Sequence, residues 1–306
     1  MIILSGGTGT PKLLNGLRKV IPQENITVVV NTAEDIWVSG NLVTPDIDTV
    51  LYLLSGRIDT GKWWGVAGDT FRTHETMISS GFNEGMMIGD LDRATHIIRS
   101  DVMRNGGTLT SAIRKLCGAL SIKADVLPMS DDPVSTIITT PQGKIHYQDF
   151  WVRDHGEPDV LDVSIDRISD AAIAPAVLEA LGTDDDILIG PSNPITSIGP
   201  ILALPGMREI LKLKKVIAVS PIIGKEPVSG PAGKLMRACG YDVSSVGVLE
   251  CYQDIVDVFV IDERDTAGVA DFGEAGCKIV RADTLMKSVN VSVELAKRMA
   301  GIFEGM

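Results

Sequence analysis

The stretch MIILSGGTG, Met1 to Gly9, decides how the rest of the chain reads. Ile2, Ile3 and Leu4 have the composition of a short buried strand. Ser5, Gly6, Gly7 and Gly9 then turn the chain, and Pro11 opens the helical run KLLNGLRKV. Proline suits that place, because its missing N–H would have no partner in the first helical turn. A strand, a glycine turn and a helix in this order predict an α/β fold with an anion site at the turn. Glycines let backbone N–H groups approach a phosphate, and the helix N-terminus adds partial positive charge.

The turn matches neither common nucleotide fingerprint. Read as G-x-G-x-x-G it supplies Gly7 and Gly9, but Lys12 stands where the third glycine belongs. Read as a P-loop from Gly6 to Lys12, it has Pro11 for the second glycine. Leu13 then replaces the Ser/Thr whose hydroxyl would bind Mg²⁺. The turn points to phosphate without separating NAD from a nucleoside triphosphate, and a tight turn with no ligand gives the same pattern.

Working outward, ITVVV (26–30) is a second strand whose continuous β-branched residues predict burial on both faces, as in a parallel sheet. It completes a βαβ unit and ends in Asn31-Thr32-Ala33-Glu34-Asp35. The carboxyl ends of parallel strands face the ligand crevice, so these residues should lie beside the glycine turn. Glu34 or Asp35 suits a ribose; a polar turn is the plainer reading.

Composition sets limits. The chain has 306 residues, 44% hydrophobic and 22% charged, which suits one large α/β domain or two smaller ones. A net charge of −12 argues against a general nucleic-acid or anionic-membrane binder. Phosphate binding then needs local N–H groups, a few basic side chains and a divalent cation. Cys117, Cys239, Cys251 and Cys277 are scattered, as expected in a reducing cytoplasm without structural zinc. His74, His96, His146 and His155 show no metal-ligand spacing and read as surface or supporting residues. No apolar run approaches the roughly 20 residues that span a bilayer, and no leader precedes the first strand, so a cytoplasmic protein is expected.

From 40 to 166 the pattern changes to a mixed α+β insertion, expected to cover the carboxyl edge of the sheet within a single domain, 1–306. NLVTPDID (41–48) leads into a helical run, with Asp48 at the expected N-cap. Asp46 and Asp48 form an Asp-x-Asp pair that can hold Mg²⁺ or position a hydroxyl; a turn aspartate plus a cap is the alternative. Asp90 and Asp92 make a second pair before RATHIIRS (93–100), and Gly106 to Thr110 caps another helix. Residues 126–129 and 134–140 read as strands, the second turning at 141–143 into a hairpin. The parallel pattern then resumes with strands at 187–189, 216–219, 256–261 and 278–280. Gly190-Pro191-Ser192-Asn193 is a second polar loop at a strand end. Lys225 and Lys234 lie in a Gly/Pro loop where they could meet phosphates or solvent, and Ser292 reads as the cap of a last helix.

The ordered motifs resemble the 2-phospho-L-lactate transferase family of coenzyme F-420 biosynthesis. They are LSGGTGTPKLLNGL, VNTAED, TPDIDTVLYLLSG, WGVAGDT, IGDLDRATHIIR, GGTLT, LPMSDDPVSTIITT, YQDFWVR, IGPSNPITSIGPIL and SPIIG with GPAGKLM, spread over almost the whole chain. The resemblance implies a Rossmann-like core without NAD. It also implies Mg²⁺-dependent transfer of a phospholactyl group from lactyl-diphospho-guanosine to the terminal ribityl hydroxyl of the deazaflavin Fo, with GMP as the second product. Some relatives use a phosphoenolpyruvyl donor. On this chain it places the diphosphate against Gly6, Gly7, Thr8 and Gly9, with Ser192 and Asn193 opposite and guanosine near Asn31 and Thr32. Asp48 would contact the Fo hydroxyl or Mg²⁺, supported by Asp46. The deazaflavin would lie near Gly85 to Asp90, where Met87 stands at a position that is often basic in the family. Ala33-Glu34 replaces a frequent Gly-Asp. A homodimer is expected from enzyme base rates. Two rivals stay open: a non-catalytic relative that senses nucleotide sugars, and an NAD-dependent dehydrogenase. The missing third glycine and the lack of a catalytic His or Lys motif weigh against the dehydrogenase.

Overall fold

The computed structural model describes all residues except 229, 253, 274 and 275. Along the chain, β1 (Ile2–Ser5), α1 (Gly9–Val20) and β2 (Thr27–Val30) precede the hairpin β3 (Ile36–Val38) and β4 (Asn41–Val43). Helices α2 (Pro45–Leu54), α3 (Arg72–Ser79), α4 (Asp90–Arg104) and α5 (Leu109–Ala119) lead to β5 (Asp125–Pro128). β6 (Ser135–Thr140), β7 (Gly143–His146) and β8 (Asp162–Asp166) form a small antiparallel sheet ordered β7-β6-β8. Then come α6 (Pro175–Thr183), β9 (Asp186–Ile189), α7 (Ile198–Ala203), α8 (Met207–Leu211), β10 (Lys215–Val219) and the short ribbon β11 (Ile222–Ile223) with β12 (Glu226–Pro227). α9 (Ala232–Ala238), α10 (Ser245–Tyr252), β13 (Val258–Asp262), β14 (Lys278–Ala282) and α11 (Val289–Glu304) complete the elements.

Seven strands form one sheet in the order β14-β13-β10-β9-β1-β2-β5, and every neighbouring pair is parallel. Parallel strands bury both faces, which is why their sequences run apolar without alternation. Ile2 and Leu4 join one core with α6, α7, α8 and α10 through Val177, Ile201, Met207 and Val248. Ile3 joins the other, against Leu13 and Leu17 of α1, Ile47 and Val50 of α2, Ile113 of α5 and Leu295 and Met299 of α11. This is the expected α/β, Rossmann-like arrangement.

The chain builds outward from β1 to β2 and β5, then returns to the other side of β1 with β9. The strand order therefore reverses between β1 and β9. In open parallel sheets ligands bind outside the carboxyl ends of the strands at such a reversal. Here that crevice is made by the turn after β1, Gly6 to Thr8, and the loop after β9, starting at Gly190.

Three local expectations need correction. The strand expected at 126–129 within the insertion is β5, an edge strand of the central sheet beside β2. Asp48 is not the N-cap of α2; Thr44 is, and Asp48 sits inside the first turn, where its carboxylate accepts the Thr44 N–H at 3.3 Å. Ser288, not Ser292, caps α11, its hydroxyl accepting from the Val291 N–H.

Candidate active site

The turn after β1 packs directly on the loop after β9. Ser192 Oγ accepts the N–H groups of Gly6 (3.2 Å) and Thr10 (3.3 Å) and lies 2.7 Å from Thr10 Oγ1. It is the pin between the two loops, opposite the glycine turn as expected. Asn193 accepts the N–H of Ile195 at 2.9 Å through its side chain, which shapes the loop leading to α7. The N–H groups of Gly7, Thr8 and Gly9 find no protein acceptor among the described residues. They stand at the start of α1, where unpaired donors and the helix dipole favour an anion. Gly7 lets the turn close on α2: a Cβ there would lie 2.3 Å from Asp46 Oδ1 and would push that carboxylate aside.

Asn31 is the bracket that brings the pieces together. Its Nδ2 donates to Asp46 Oδ2 at 2.9 Å and to the Thr196 carbonyl at 3.1 Å, while its Oδ1 accepts the Ala33 N–H at 3.0 Å. It joins the end of β2, the start of α2 and the loop before α7. Thr32, next to it, has a buried hydroxyl with no protein partner.

Glu34 and Asp46 are buried and Asp35 beside them is half-buried, with the Arg99 guanidinium pulling the Asp35 carboxyl down against its burial. Burial drives all three carboxyls upward, and Asp46 raises both of its neighbours by repulsion. The Asn31 hydrogen bond pulls Asp46 down, but burial still leaves it at about 7. Asp35 Oδ1 and the Thr44 hydroxyl are also buried with no hydrogen-bond partner among the described residues. Mutually repelling carboxylates and unpaired oxygens are the donor chemistry a hard divalent cation requires. Among the described residues, however, donor atoms of Glu34, Asp35 and Asp46 do not all come within 4.8 Å of one another, as those of Asp48, Asp92 and His96 do.

Asp48 is differently placed. Arg99 grips both of its oxygens, and Nε2 of His96 is 3.1 Å from Oδ2. The same Nε2 is 3.1 Å from Asp92 Oδ1, to which Tyr52 donates at 2.6 Å. Burial alone would raise the Asp48 carboxyl; Arg99 and His96 outweigh it and hold it below its usual range. Burial likewise disfavours the His96 cation, but its hydrogen bonds to Asp48 and Asp92 push it up to about 9. Side-chain donor atoms of Asp48, Asp92 and His96 lie within 4.8 Å of one another, a spacing found in metal sites. A protonated imidazole offers no lone pair, however, and the guanidinium occupies the carboxylate. In the absence of an ion the two carboxylates of this cluster, Asp48 and Asp92, are balanced by His96 and Arg99. His96, set aside in the sequence as a surface or supporting residue, is 1% exposed, and Arg99 is fully buried. The legible signal was spacing: 92, 96 and 99 fall on one face of a helix.

The second acidic pair has a structural use. Asp90 accepts the N–H groups of Arg72 (3.1 Å) and Thr73 (3.0 Å) and the Thr70 hydroxyl (2.5 Å), closing the start of α3. Asp69 does the same for α4, accepting from Leu91 (2.8 Å) and Asp92 (3.0 Å). Asp90 is held below its ordinary value by these donors. Met87 is 49% exposed on the connection between α3 and α4. Lys234 donates to the carbonyls of Gly156, Glu157 and Pro158 (2.8, 3.0 and 3.0 Å), so it is tied to backbone.

With this geometry the known proteins can be compared. The profile of the family described as 2-phospho-L-lactate transferase CofD matches residues 1–299. The chain is 64% identical over 304 residues to a 2-phospho-L-lactate transferase of Methanosarcina acetivorans, covering 99% of each chain. It is 48% identical over 301 residues to one of Methanocaldococcus jannaschii, covering 97% of this chain and 96% of that one. The crystal structure of a UPF0052-family protein from Bacillus halodurans shares the fold. It has a TM-score of 0.69 at 18% identity, over 98% of this chain and 97% of that chain. The ordered motifs, the parallel sheet with its loops at the strand reversal, and full-length relatives of this identity agree: the chain belongs to the 2-phospho-L-lactate transferase CofD family.

Proposed function

We propose that this protein moves the phospholactyl group of lactyl-diphospho-guanosine to the terminal ribityl hydroxyl of Fo, giving coenzyme F-420-0 and GMP. The observation that carries this reading is the crevice at the strand reversal, where the N–H groups of Gly7, Thr8 and Gly9 have no acceptor among the described residues and Gly7 packs against the buried Asp46 carboxylate, itself beside Glu34 and Asp35. That combination suits a metal-bound diphosphate. A new P–O bond forms to the ribityl oxygen as the P–O bond to GMP breaks, and the hydroxyl proton is released. Such displacement at phosphorus is accelerated mainly by positioning and charge neutralisation.

The roles follow from the contacts. The glycine turn takes the diphosphate, and Ser192 keeps that turn in place. Asn31 sets the Asp46 carboxylate, and Thr32 offers a hydroxyl to the guanosine side. Asp46, with Glu34 and Asp35, would hold Mg²⁺, which supplies charge neutralisation at the diphosphate. Asp48 ties the first turn of α2 to α4 through His96 and Arg99, and so holds Asp46 where the donor arrives. Met87 gives an apolar contact for the deazaflavin ring, and Asp90 keeps the start of α3 in place beside it.

Separate titrations of Fo, by its fluorescence, and of GDP, by calorimetry, with Mg²⁺ present test the reading. Binding of both supports it. GDP binding without Fo binding would move the function to a nucleotide-sensing relative.

A further inference from the structure

Lys12 is three residues past Gly9 on α1. At 1.5 Å of rise per residue, its Cα stands about 4.5 Å along the axis from that of Gly9. Helical side chains lean toward the N-terminus, the end of α1 that carries the glycine turn, which puts that turn within reach of a lysine stem. Its ammonium lies over the Trp63 ring, 5.5 Å from the centroid. Among the described residues no carboxylate or carbonyl pairs with it, and partial burial lowers its affinity for the proton.

Three other basic side chains, Arg18 of α1 and His96 and Arg99 of α4, are committed. Arg18 donates to Asn15 Oδ1 (3.0 Å) and the Leu53 carbonyl (2.6 Å). His96 and Arg99 hold Asp48. The acids beside the glycine turn, Glu34, Asp35 and Asp46, carry the sign that repels a diphosphate. A donor seated there needs a basic side chain that is free, and Lys12 meets that condition.

We propose that Lys12 is the cation that receives the donor's diphosphate at the glycine turn, with the Trp63 ring holding it ready. The inference rests on the donor reading above. An aromatic face attracts an ammonium without neutralising it, so the full charge stays available to the phosphate. A carboxylate partner in the same place would compete with the ligand. Trp63 belongs to the segment between α2 and α3, so the contact also couples that segment to the donor.

The test titrates inorganic pyrophosphate and GDP, at fixed Mg²⁺, into the full chain and into Lys12→Met, Lys12→Gln, Lys12→Arg and Trp63→Phe. The two neutral variants should weaken pyrophosphate about tenfold or more, as expected for losing a charge-assisted hydrogen bond. Lys12→Arg should restore most of the affinity. Pyrophosphate should change the tryptophan fluorescence of the wild type, and this change should vanish in Trp63→Phe while binding persists. Thermal unfolding without ligand shows which variants are folded. Pyrophosphate affinity unchanged in a folded neutral variant, or no pyrophosphate binding by the wild type, overturns the assignment. Pyrophosphate binding that depends on Lys12, with no GDP binding, keeps the assignment and removes the guanine-nucleotide donor.

Discussion

Asp46 and Asp48 sit two residues apart on one helical turn and differ in chemistry because of what surrounds them. Asp48 meets two cations; Asp46 meets an amide and other acids. Burial raises the Asp46 carboxyl to about 7, and a cation bound as proposed would have to displace its proton. Mg²⁺ affinity should therefore rise as pH increases through about 7, and Asp46→Asn should weaken binding and flatten that dependence in calorimetric titrations. His96 has the opposite sense. Its folded-state value of about 9 exceeds the ordinary 6.5, so its stabilisation is full below about 6.5 and fades as pH rises through about 9. Urea midpoints between pH 7 and 10 should fall in the wild type and fall less in His96→Asn. Arg99→Met leaves a buried carboxylate facing His96 alone and should cost about 3–5 kcal/mol in denaturant unfolding. The Asp-x-Asp pair was legible in the sequence as a candidate ligand set. Its division of labour was not, because Arg99 and His96 come from another helix and only the folded chain brings them to Asp48.

Among the elements, α3 and α4 are set by an exchange: Asp69 caps α4 and Asp90 caps α3. Asp90→Ala should lower hydrogen-exchange protection at Arg72 and Thr73 while leaving the strands protected. Unchanged exchange there would remove the capping role. The α1–α11 pair depends on close approach, since a Cβ on Gly16 would lie 2.1 Å from the Ser292 carbonyl oxygen. Gly16→Ala should push the helices apart at a cost of about 1–3 kcal/mol, read as a lower urea midpoint. The central strands were legible because runs such as VVV at 28–30 have no alternation, which is what burial on both faces demands. β5 was misplaced because a strand followed closely by a hairpin reads as one antiparallel unit. Its parallel partner, β2, is separated from it by the hairpin and four helices. The Ser288 and Thr44 caps were missed for a smaller reason: a helix start is fixed by local hydrogen bonds that several neighbouring polar residues could equally make.

At the scale of the molecule, an acidic chain concentrates polar loops and free N–H groups at one crevice, where the anionic donor is proposed to sit. The strand reversal between β1 and β9 brings two polar loops together, and the N-terminus of α2 adds the Asp46 carboxylate beside them. The first nine residues already implied the strand, turn and helix that border this crevice, and a phosphate there remains the proposal built on them. The most direct measurement is a transfer assay with lactyl-diphospho-guanosine, Fo and Mg²⁺, following deazaflavin products and GMP by chromatography. The account predicts F-420-0 and GMP in equal amounts, with the yield lost in Gly7→Ala. GMP release without a deazaflavin product, or no turnover by a folded protein that binds both substrates, would contradict it.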